Sequence, residues 1–189
     1  MVKMAERRKA TDERIAKAAI IEFGKNGYAN TTLASIAKSS GITPGLIVQN
    51  FGSKEELYKK ISVEIVSSIQ KSLRGSSQTW DVRCRTIVEN SKKMLNDNPD
   101  AIHYLQFYVS LMTSLDSPED VLRELYDIYK SSPVEEIIVK GQENDEIMDG
   151  EPYDIHTLFW SNMCNTVCYC YNNKLKMPET EWFLQLIRK

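Results

Sequence analysis

The chain has 189 residues, of which 42% are hydrophobic and 26% are charged, and its formal net charge is −2. This composition is that of a folded globular protein and excludes an intrinsically disordered chain. No run of about 18 apolar residues is present, so no membrane-spanning helix is expected, and the first residues lack the apolar core of a secretory signal. Four cysteines in a chain of this length do not indicate a disulfide framework. We therefore expect a cytoplasmic protein.

The charge is unevenly distributed along the chain. Residues 1–60 contain eleven Lys and Arg against six Asp and Glu, a net charge of +5, whereas residues 61–189 carry a net charge of −7. A basic N-terminal part on an acidic remainder is typical of a DNA-binding module attached to a body that does not bind DNA. A solvated basic tail would give the same pattern, and charge alone does not separate the two.

The first predicted element is a helix that begins near Thr11, whose side chain can cap it, and ends at Gly27. Ile15, Ala19 and Phe23 recur at intervals of four residues and form one buried stripe. Residues 1–10 are predicted as a basic arm that could follow the DNA backbone, enter the minor groove or remain a solvated tail. The cations of this arm are Lys3, Arg7, Arg8 and Lys9.

Two short helices follow. The segment TTLASIAKSS is capped by Thr31 or Thr32 and ends at Gly41, and PGLIVQNF is capped by Thr43 with Pro44 in its first position. A longer helix then opens at Ser53, with Glu56 at the capping-box position, and should run to about Leu73. Two short helices joined by a tight turn between two longer ones are the layout of a helix-turn-helix, with residues 44–50 as its recognition helix.

The rest of the chain is predicted to be a helical body. The segment GSSQT, residues 75–79, is a plausible linker to it. Pro118 and Pro133 each follow a serine and suit helix starts, although Pro133 could instead kink one long helix. The most loop-like stretch is residues 141–154. The helices of the body are predicted at about 79–97, 100–115, 118–131, 133–148, 154–173 and 179–188.

The head resembles a known family. Its motifs are FGxxGY at 23–28, TTLxxIA at 31–37, GITPGL at 41–46 and FGSKEEL at 51–57. Together they resemble, over about 50 residues without a gap, the DNA-binding head of the tetracycline-repressor (TetR-like) family. The segment KGQENDEI at 140–147 is similar to what family members show before their last two helices.

The resemblance implies an all-α fold in which a three-helix helix-turn-helix head is joined by a long fourth helix to a helical body. The DNA-binding domain would span residues 1–60, and an effector-binding and dimerisation domain would span 61–189. The last two helices, about 154–173 and 179–188, would form a four-helix interface in a homodimer. The body would hold a small-molecule pocket coupled to the spacing of the two heads.

The recognition helix departs from the family pattern. Where relatives usually carry a Tyr, an aromatic residue and often a His, this chain has Val48, Gln49 and Asn50. The tyrosine of relatives commonly touches phosphate, and Val48 cannot donate a hydrogen bond. We therefore expect backbone anchoring to shift to other groups and the operator sequence to differ from those of relatives.

The DNA-binding residues are predicted on the head. Gln49 and Asn50 can make bidentate hydrogen bonds to adenine in the major groove, and Leu46 could contact a thymine methyl. The phosphate candidates lie at helix N-termini, where free N–H groups attract anions, and Lys54 adds a full charge. Alternatively, the threonines serve only as caps and the amides are solvated surface. The predicted set is Thr31, Thr32, Thr43, Pro44, Gly45, Leu46, Val48, Gln49, Asn50 and Lys54.

The body is rich in aromatic residues and methionines, which line ligand pockets but also fill ordinary helical cores. As a set they suggest a largely apolar effector. The pocket candidates are Tyr104, Phe107, Tyr108, Met112, Tyr126, Tyr129, Phe159 and Met163. Cys164 and Cys168, with His156 two turns earlier, could in principle bind metal or sense oxidants, but ligands on one helix rarely enclose a metal. No metal and no cofactor are expected.

The sequence thus predicts a sequence-specific transcriptional regulator, and the resemblance favours a repressor that leaves a palindromic operator when an apolar effector binds. The alternative is an adaptor of the same fold, or a non-specific DNA-binding protein without effector control. An enzyme is not expected, because the chain has only two histidines and lacks a Gly-rich phosphate loop, HExxH and GxSxG.

Overall fold

The computed structural model describes residues 2–73, 79–113, 117–130 and 134–189, and for residues 2, 3, 72, 73, 112, 113 and 134 it describes the backbone alone. These parts of the chain form α-helices, and the predicted all-α class is confirmed. The helices are α1 (Val2–Asn30), α2 (Leu33–Ser40), α3 (Pro44–Phe51), α4 (Lys54–Leu73), α5 (Trp80–Asp97), α6 (Ala101–Thr113), α7 (Glu119–Lys130), α8 (Val134–Glu143), α9 (Pro152–Asn172) and α10 (Thr180–Leu184).

Helix α1 is longer than predicted. It begins at Val2 rather than at Thr11, whose hydroxyl donates to the Arg7 carbonyl inside the helix at 3.0 Å. The predicted arm therefore forms the first turns of α1. The predicted end of the helix at Gly27 is an interruption in the structure: this residue has a φ of 74°, which side chains disfavour, and α1 continues to Asn30. Tyr28 then packs back on Phe23, with the two rings stacked at 6.1 Å.

The caps of α2, α3 and α4 follow the sequence. Thr32 is the N-cap of α2 and accepts a hydrogen bond from the Ser35 amide at 3.0 Å, while Gly41 ends the helix in the left-handed conformation. Thr43 caps α3. Before α4, the Ser53 amide donates to the Glu56 carboxylate at 2.7 Å and the Glu56 amide donates to the Ser53 hydroxyl at 3.1 Å. This reciprocal pair is the predicted capping box.

The head packs directly on the body. Helix α1 lies along α6, and α4 lies along α7. At this junction the rings of Phe23 and Tyr58 are 4.9 Å apart and those of Tyr58 and Phe107 are 5.5 Å apart. The buried Tyr58 hydroxyl also lies 2.8 Å from the Ser117 hydroxyl. Head and body therefore share one hydrophobic core, and close packing of this kind would couple a shift of α6 to α1.

The body helices pack around α6 and α9, with α8 against α9 and α10 against α5. Two predicted helices end early. Helix α8 stops at Glu143 instead of continuing to 148, because Ile147 is fully buried and its backbone pairs with Arg188 in an isolated antiparallel bridge. The last helix, predicted at 179–188, is only Thr180–Leu184, since Ile187 is also fully buried and its carbonyl accepts from the Met148 amide at 2.9 Å.

Some predictions fall on residues that the structure does not describe. The Ser132-Pro133 helix start and residues 75–78 of the predicted linker lie outside the described residues, as do the side chains of Lys3 and Met112. The start after Pro118 is confirmed, with α7 beginning at Glu119. Within the described residues, no helix has the length and apolar character needed to cross a bilayer.

Candidate nucleic-acid interface and body cavity

Helix α3 presents one exposed face, and its sequence PGLIVQNF contains no charged residue. Ile47 is fully buried and anchors the helix, whereas Leu46 and Val48 are 36% and 50% exposed. Gln49 is exposed, and no group in the described part of the chain hydrogen-bonds to its side chain. A Cβ added at Gly45 would meet nothing within 4 Å, so packing within this chain does not explain the glycine. The face is therefore open to a partner that approaches the helix closely.

Asn50, the second residue predicted to bind a base through its side-chain amide, is not on this open face. It is half-buried, and its side-chain amide donates to the Asp12 carboxylate of α1 at 2.8 Å. A hydrogen bond to an ionised carboxylate is about twice as strong as one between neutral groups. Asn50 is thus committed to holding α3 against α1. No local pattern predicts this contact, because the two residues are 38 positions apart.

The three predicted threonines have different surroundings. Thr31 is fully buried, and its hydroxyl lies 2.7 Å from the Gly27 carbonyl and 3.1 Å from the Glu22 carbonyl. Its side chain hydrogen-bonds to carbonyls at the interruption in α1 and before it, and does not reach the surface. Thr32 and Thr43 are exposed at the N-termini of α2 and α3, where they can cap a helix and still face a phosphate.

Lys54 has a structural partner that the sequence did not reveal. Its ammonium donates to the Tyr28 carbonyl at 2.9 Å and lies 4.1 Å from the centre of the Tyr28 ring. Burial, and then the carboxylate of Glu55, raise the pKa of Tyr28, so that its ring remains neutral under Lys54. One carbonyl uses one of the three ammonium donors. The side chain is partly exposed, and its remaining donors can face an anion.

Further cations lie on α1. Arg14 donates to the Ser40 carbonyl at 2.7 Å and so fixes the turn between α2 and α3 to the first helix. Arg7, Arg8 and Lys9 are exposed on the first turns of α1. Here α1 carries a cluster of exposed cations, of which Lys9 lies 3.9 Å from the Glu13 carboxylate. This arrangement suits a polyanion that follows the head.

A cavity of about 520 Å³ lies in the body between α4, α5, α6 and α9. Its lining residues are Ile65, Ser68, Ile69, Ile87, Asn90, Ser91, Met94, Tyr104, Leu105, Tyr108 and Trp160. None of them is charged, and the polar groups are hydroxyls, one amide and the indole N–H of Trp160. A site of this size, mostly apolar with a few polar groups, fits a neutral small molecule. The part of the wall that α4 and α5 contribute was not predicted from the sequence. Ile65 and Ile69 could be recognised only as part of the apolar stripe of α4.

Two of the eight predicted pocket residues, Tyr104 and Tyr108, line this cavity. Tyr129 stands behind the wall and donates to the Tyr108 hydroxyl at 3.1 Å, and burial raises the pKa of Tyr108 well above its ordinary value. Phe107 belongs to the head–body junction. Tyr126 is 52% exposed at the surface.

Phe159 and Met163, the other pocket candidates whose side chains the structure describes, are parts of the core. Phe159 packs edge-on against Trp80 at 5.3 Å, and Met163 is buried. Burial lowers the pKa of His156 to about 4 and raises that of Cys168 to about 11, so one is a neutral imidazole and the other a protonated thiol at neutral pH. Within the described residues no three potential metal ligands come together.

Comparison with known proteins supports the identification of the N-terminal residues as a DNA-binding head. Residues 15–61 match the family of bacterial regulatory proteins called the tetR family. The HTH-type transcriptional regulatory protein RaaS of Mycobacterium tuberculosis is 37% identical to this chain over 70 residues, which are 35% of this chain and 32% of that protein. The chain therefore matches about a third of the length of this curated relative.

Solved structures support the fold of the whole chain. A tetR-family transcription regulator from Shewanella is similar with a TM-score of 0.71 and 15% identity, over 95% of this chain and 98% of that one. The transcriptional regulator FadR from Bacillus subtilis, solved in complex with stearoyl-CoA, gives a TM-score of 0.67 and 18% identity over 92% and 96% of the two chains. At these identities the likeness shows the fold of the chain, and the family match itself lies in residues 15–61.

Proposed function

We propose that this chain is a TetR-like, sequence-specific transcriptional regulator that leaves a palindromic operator when a neutral, largely apolar effector enters the body cavity. The observation that carries the proposal is the open face of α3, where Gly45 faces empty space and Val48 and Gln49 are exposed beside a basic α1. A recognition helix needs such a face to enter the major groove.

We propose that the DNA-binding domain comprises residues 1–60 and that the DNA-contacting side chains are Thr32, Thr43, Pro44, Gly45, Leu46, Val48, Gln49 and Lys54. Gln49 would bind a base edge, whereas the threonines, Gly45 and Lys54 would face phosphates. Asn50 is left out of this set because Asp12 holds it. Thr31 is left out because its hydroxyl is buried.

Residues 61–189 would bind the effector and form the homodimer. The last two helices and the segment between them carry exposed apolar side chains: Leu158, Tyr169, Leu175 and Trp182. Exposed apolar surface of this kind is typical of an interface, and a two-fold dimer matches a palindromic site. Two heads would then contact half-sites about 34 Å apart or a multiple of that distance. A protein that binds operator DNA in this way would act in the cytoplasm.

The cavity supports effector control. Helix α6 contributes Tyr104 and Tyr108 to the cavity and Phe107 to the junction with the head. A ligand that fits only one position of α6 would therefore change the placement of the head, by no more than its difference in affinity for the two states. The stearoyl-CoA bound by FadR supports a ligand role for a body of this fold. In this chain the uncharged cavity wall favours a neutral ligand.

DNA binding is tested by a salt titration on an operator selected from random duplexes. Wild type should lose affinity steeply with salt, and Lys54→Ala should lower the slope of log K against log salt by about 1. Lys130→Ala, which removes an exposed charge from the body, is the control and should leave the slope unchanged. Equal affinity for all sequences would instead favour the adaptor or non-specific alternative.

Effector control is tested by filling the cavity. Ser68→Trp places an indole in the cavity, whereas Ser67→Trp places one on the outside of the same helix. A neutral apolar compound that releases wild type and Ser67→Trp from the operator should fail on Ser68→Trp. If both variants respond like wild type, the cavity is not the effector site. Transcription from the operator in the presence and absence of the compound then shows the direction of regulation.

A further inference from the structure

We propose that α3 recognises its operator chiefly through the C5-methyl groups of thymines on both sides of one A·T pair, an inference that rests on the proposed function. The starting point is the set of groups that the helix can offer to a base edge. Helix α3 has no charged side chain, and its exposed side chains after Pro44 are Leu46, Val48 and Gln49. Two of these three cannot make a hydrogen bond.

The contact between Asn50 and Asp12 further reduces the number of hydrogen-bonding side chains that α3 can offer to bases. Without it, α3 would have two adjacent amides able to bind adenine. The 2.8 Å hydrogen bond to a carboxylate holds one of them against α1 and half-buries it. Freeing Asn50 would leave Asp12 without this donor, which is unfavourable for a partly buried charge. Gln49 is therefore the single amide that the helix presents to bases.

The order of side chains around α3 places the apolar residues at its flanks. At 100° per residue, Gln49 and Gly45 share the centre of the exposed face, opposite the buried Ile47. Leu46 lies on one side of this centre and Val48 lies on the other. When such a helix enters the groove with Gln49 against one base pair, the two apolar side chains approach the neighbouring pairs on either side.

The chemistry of the major groove then selects the bases. Each base pair presents donors and acceptors there, and the C5-methyl of thymine is the apolar group in the code. An exposed Leu or Val beside a donor or acceptor leaves it unpaired, whereas a methyl group is buried against it favourably. Gln49 prefers adenine because its side-chain amide can make two hydrogen bonds at once, to N6 and N7 of that base. The half-site should therefore contain an adenine flanked by thymines, on either strand.

The experiment replaces single thymines by deoxyuridine in the operator selected from random duplexes with the full-length chain. Deoxyuridine pairs as thymine does and lacks only the methyl. Burial of one such carbon corresponds to about a fourfold change in affinity. We expect two positions in each half-site at which deoxyuridine weakens binding about fourfold, and no effect at other thymines.

Variants assign the positions. Val48→Ala should abolish the difference between thymine and deoxyuridine at one position and Leu46→Ala at the other, while Gln49→Ala retains both differences and loses the adenine preference. All three side chains are exposed, and circular dichroism confirms folding. A selected operator on which every deoxyuridine substitution is neutral overturns the inference but leaves the proposed function intact. A random pool that yields no selected sequence overturns both.

Discussion

The close approach of α1 to α6 at Gly24 predicts that Gly24→Ala loosens the junction between head and body. A Cβ at this position would lie 2.3 Å from the His103 carbonyl oxygen and 3.3 Å from the Phe107 amide nitrogen, both of which are backbone atoms of α6. Atoms of this kind need about 3.5 Å, so the two helices must separate by about 1 Å. Since the clash is with backbone, no side-chain rotation relieves it.

The size of the effect follows from two opposing contributions. Overpacking of this type costs about 1–3 kcal/mol, and replacing a helical glycine by alanine returns up to about 1 kcal/mol through helix propensity. The net loss should be about 1–2 kcal/mol, with the aromatic contacts of Phe23 and Phe107 weakened. For a chain of this size each kcal/mol lowers Tm by about 2–4 °C, so a decrease of about 2–8 °C is expected.

Gly45→Ala provides the matched control. It adds the same methyl group to an exposed helix where nothing lies within 4 Å, so the free energy of unfolding should stay constant or rise by up to about 1 kcal/mol. Thermal unfolding followed by circular dichroism, together with urea titration, compares both variants with wild type. A Gly24→Ala protein as stable as wild type would refute the close packing of α1 on α6. A Gly45→Ala protein that unfolds early would refute the open face of α3.

Three further predictions concern the body and its junction with the head. Tyr58→Phe removes the hydrogen bond between Tyr58 and Ser117 (2.8 Å, buried) and should lower stability by about 1 kcal/mol in urea titration. Lys59→Met breaks the exposed ion pairs with Asp120 and Glu124 and should cost less than about 1 kcal/mol; a loss above that of Tyr58→Phe contradicts this ranking. His156, whose pKa burial lowers from 6.5 to about 4, is neutral in the folded state while the unfolded chain takes up a proton, so stability should fall as pH decreases from 6.5 towards 4. In unfolding titrations at pH 7 and pH 5, His156→Phe should show a smaller loss between the two values than wild type, and equal losses would contradict the burial of a neutral imidazole.

The caps of the head could be predicted from the sequence because each is a local device. A Gly that must be left-handed, a Thr followed by Pro and a Ser three residues before Glu act within one turn of helix, and the structure has Gly41, Thr43-Pro44 and Ser53-Glu56 in these roles. The start of α1 could not be found in this way. Thr11 has the side chain of a cap but lies inside a helix that already begins at Val2.

The ends of α8 and α10 show where local pattern fails. Residues 134–148 are compatible with a longer helix, but Ile147 and Ile187 are each fully buried in a tertiary contact that their neighbours in sequence do not reveal. Burial of two isoleucine side chains outweighs the few helical hydrogen bonds that are given up. Similarly, the cavity wall depends on how α4 and α5 meet α6, which no spacing of aromatic residues predicts.

The contacts of the polar candidates separate affinity from specificity in the proposed complex. A polar side chain that can bind DNA can equally bind the protein, and three of the candidates have done so: Thr31, Asn50 and Lys54 each have a partner on α1. These bonds hold α1, α2, α3 and α4 in the arrangement that the groove requires, which orders the reading face before DNA arrives and lowers the entropy lost on binding. In this proposal, sequence-independent affinity would come from Lys54, the helix N-termini and the exposed cations at the start of α1. Specificity is left to a short helix face with one amide and two apolar side chains, so base substitutions and salt should act on different segments of this chain.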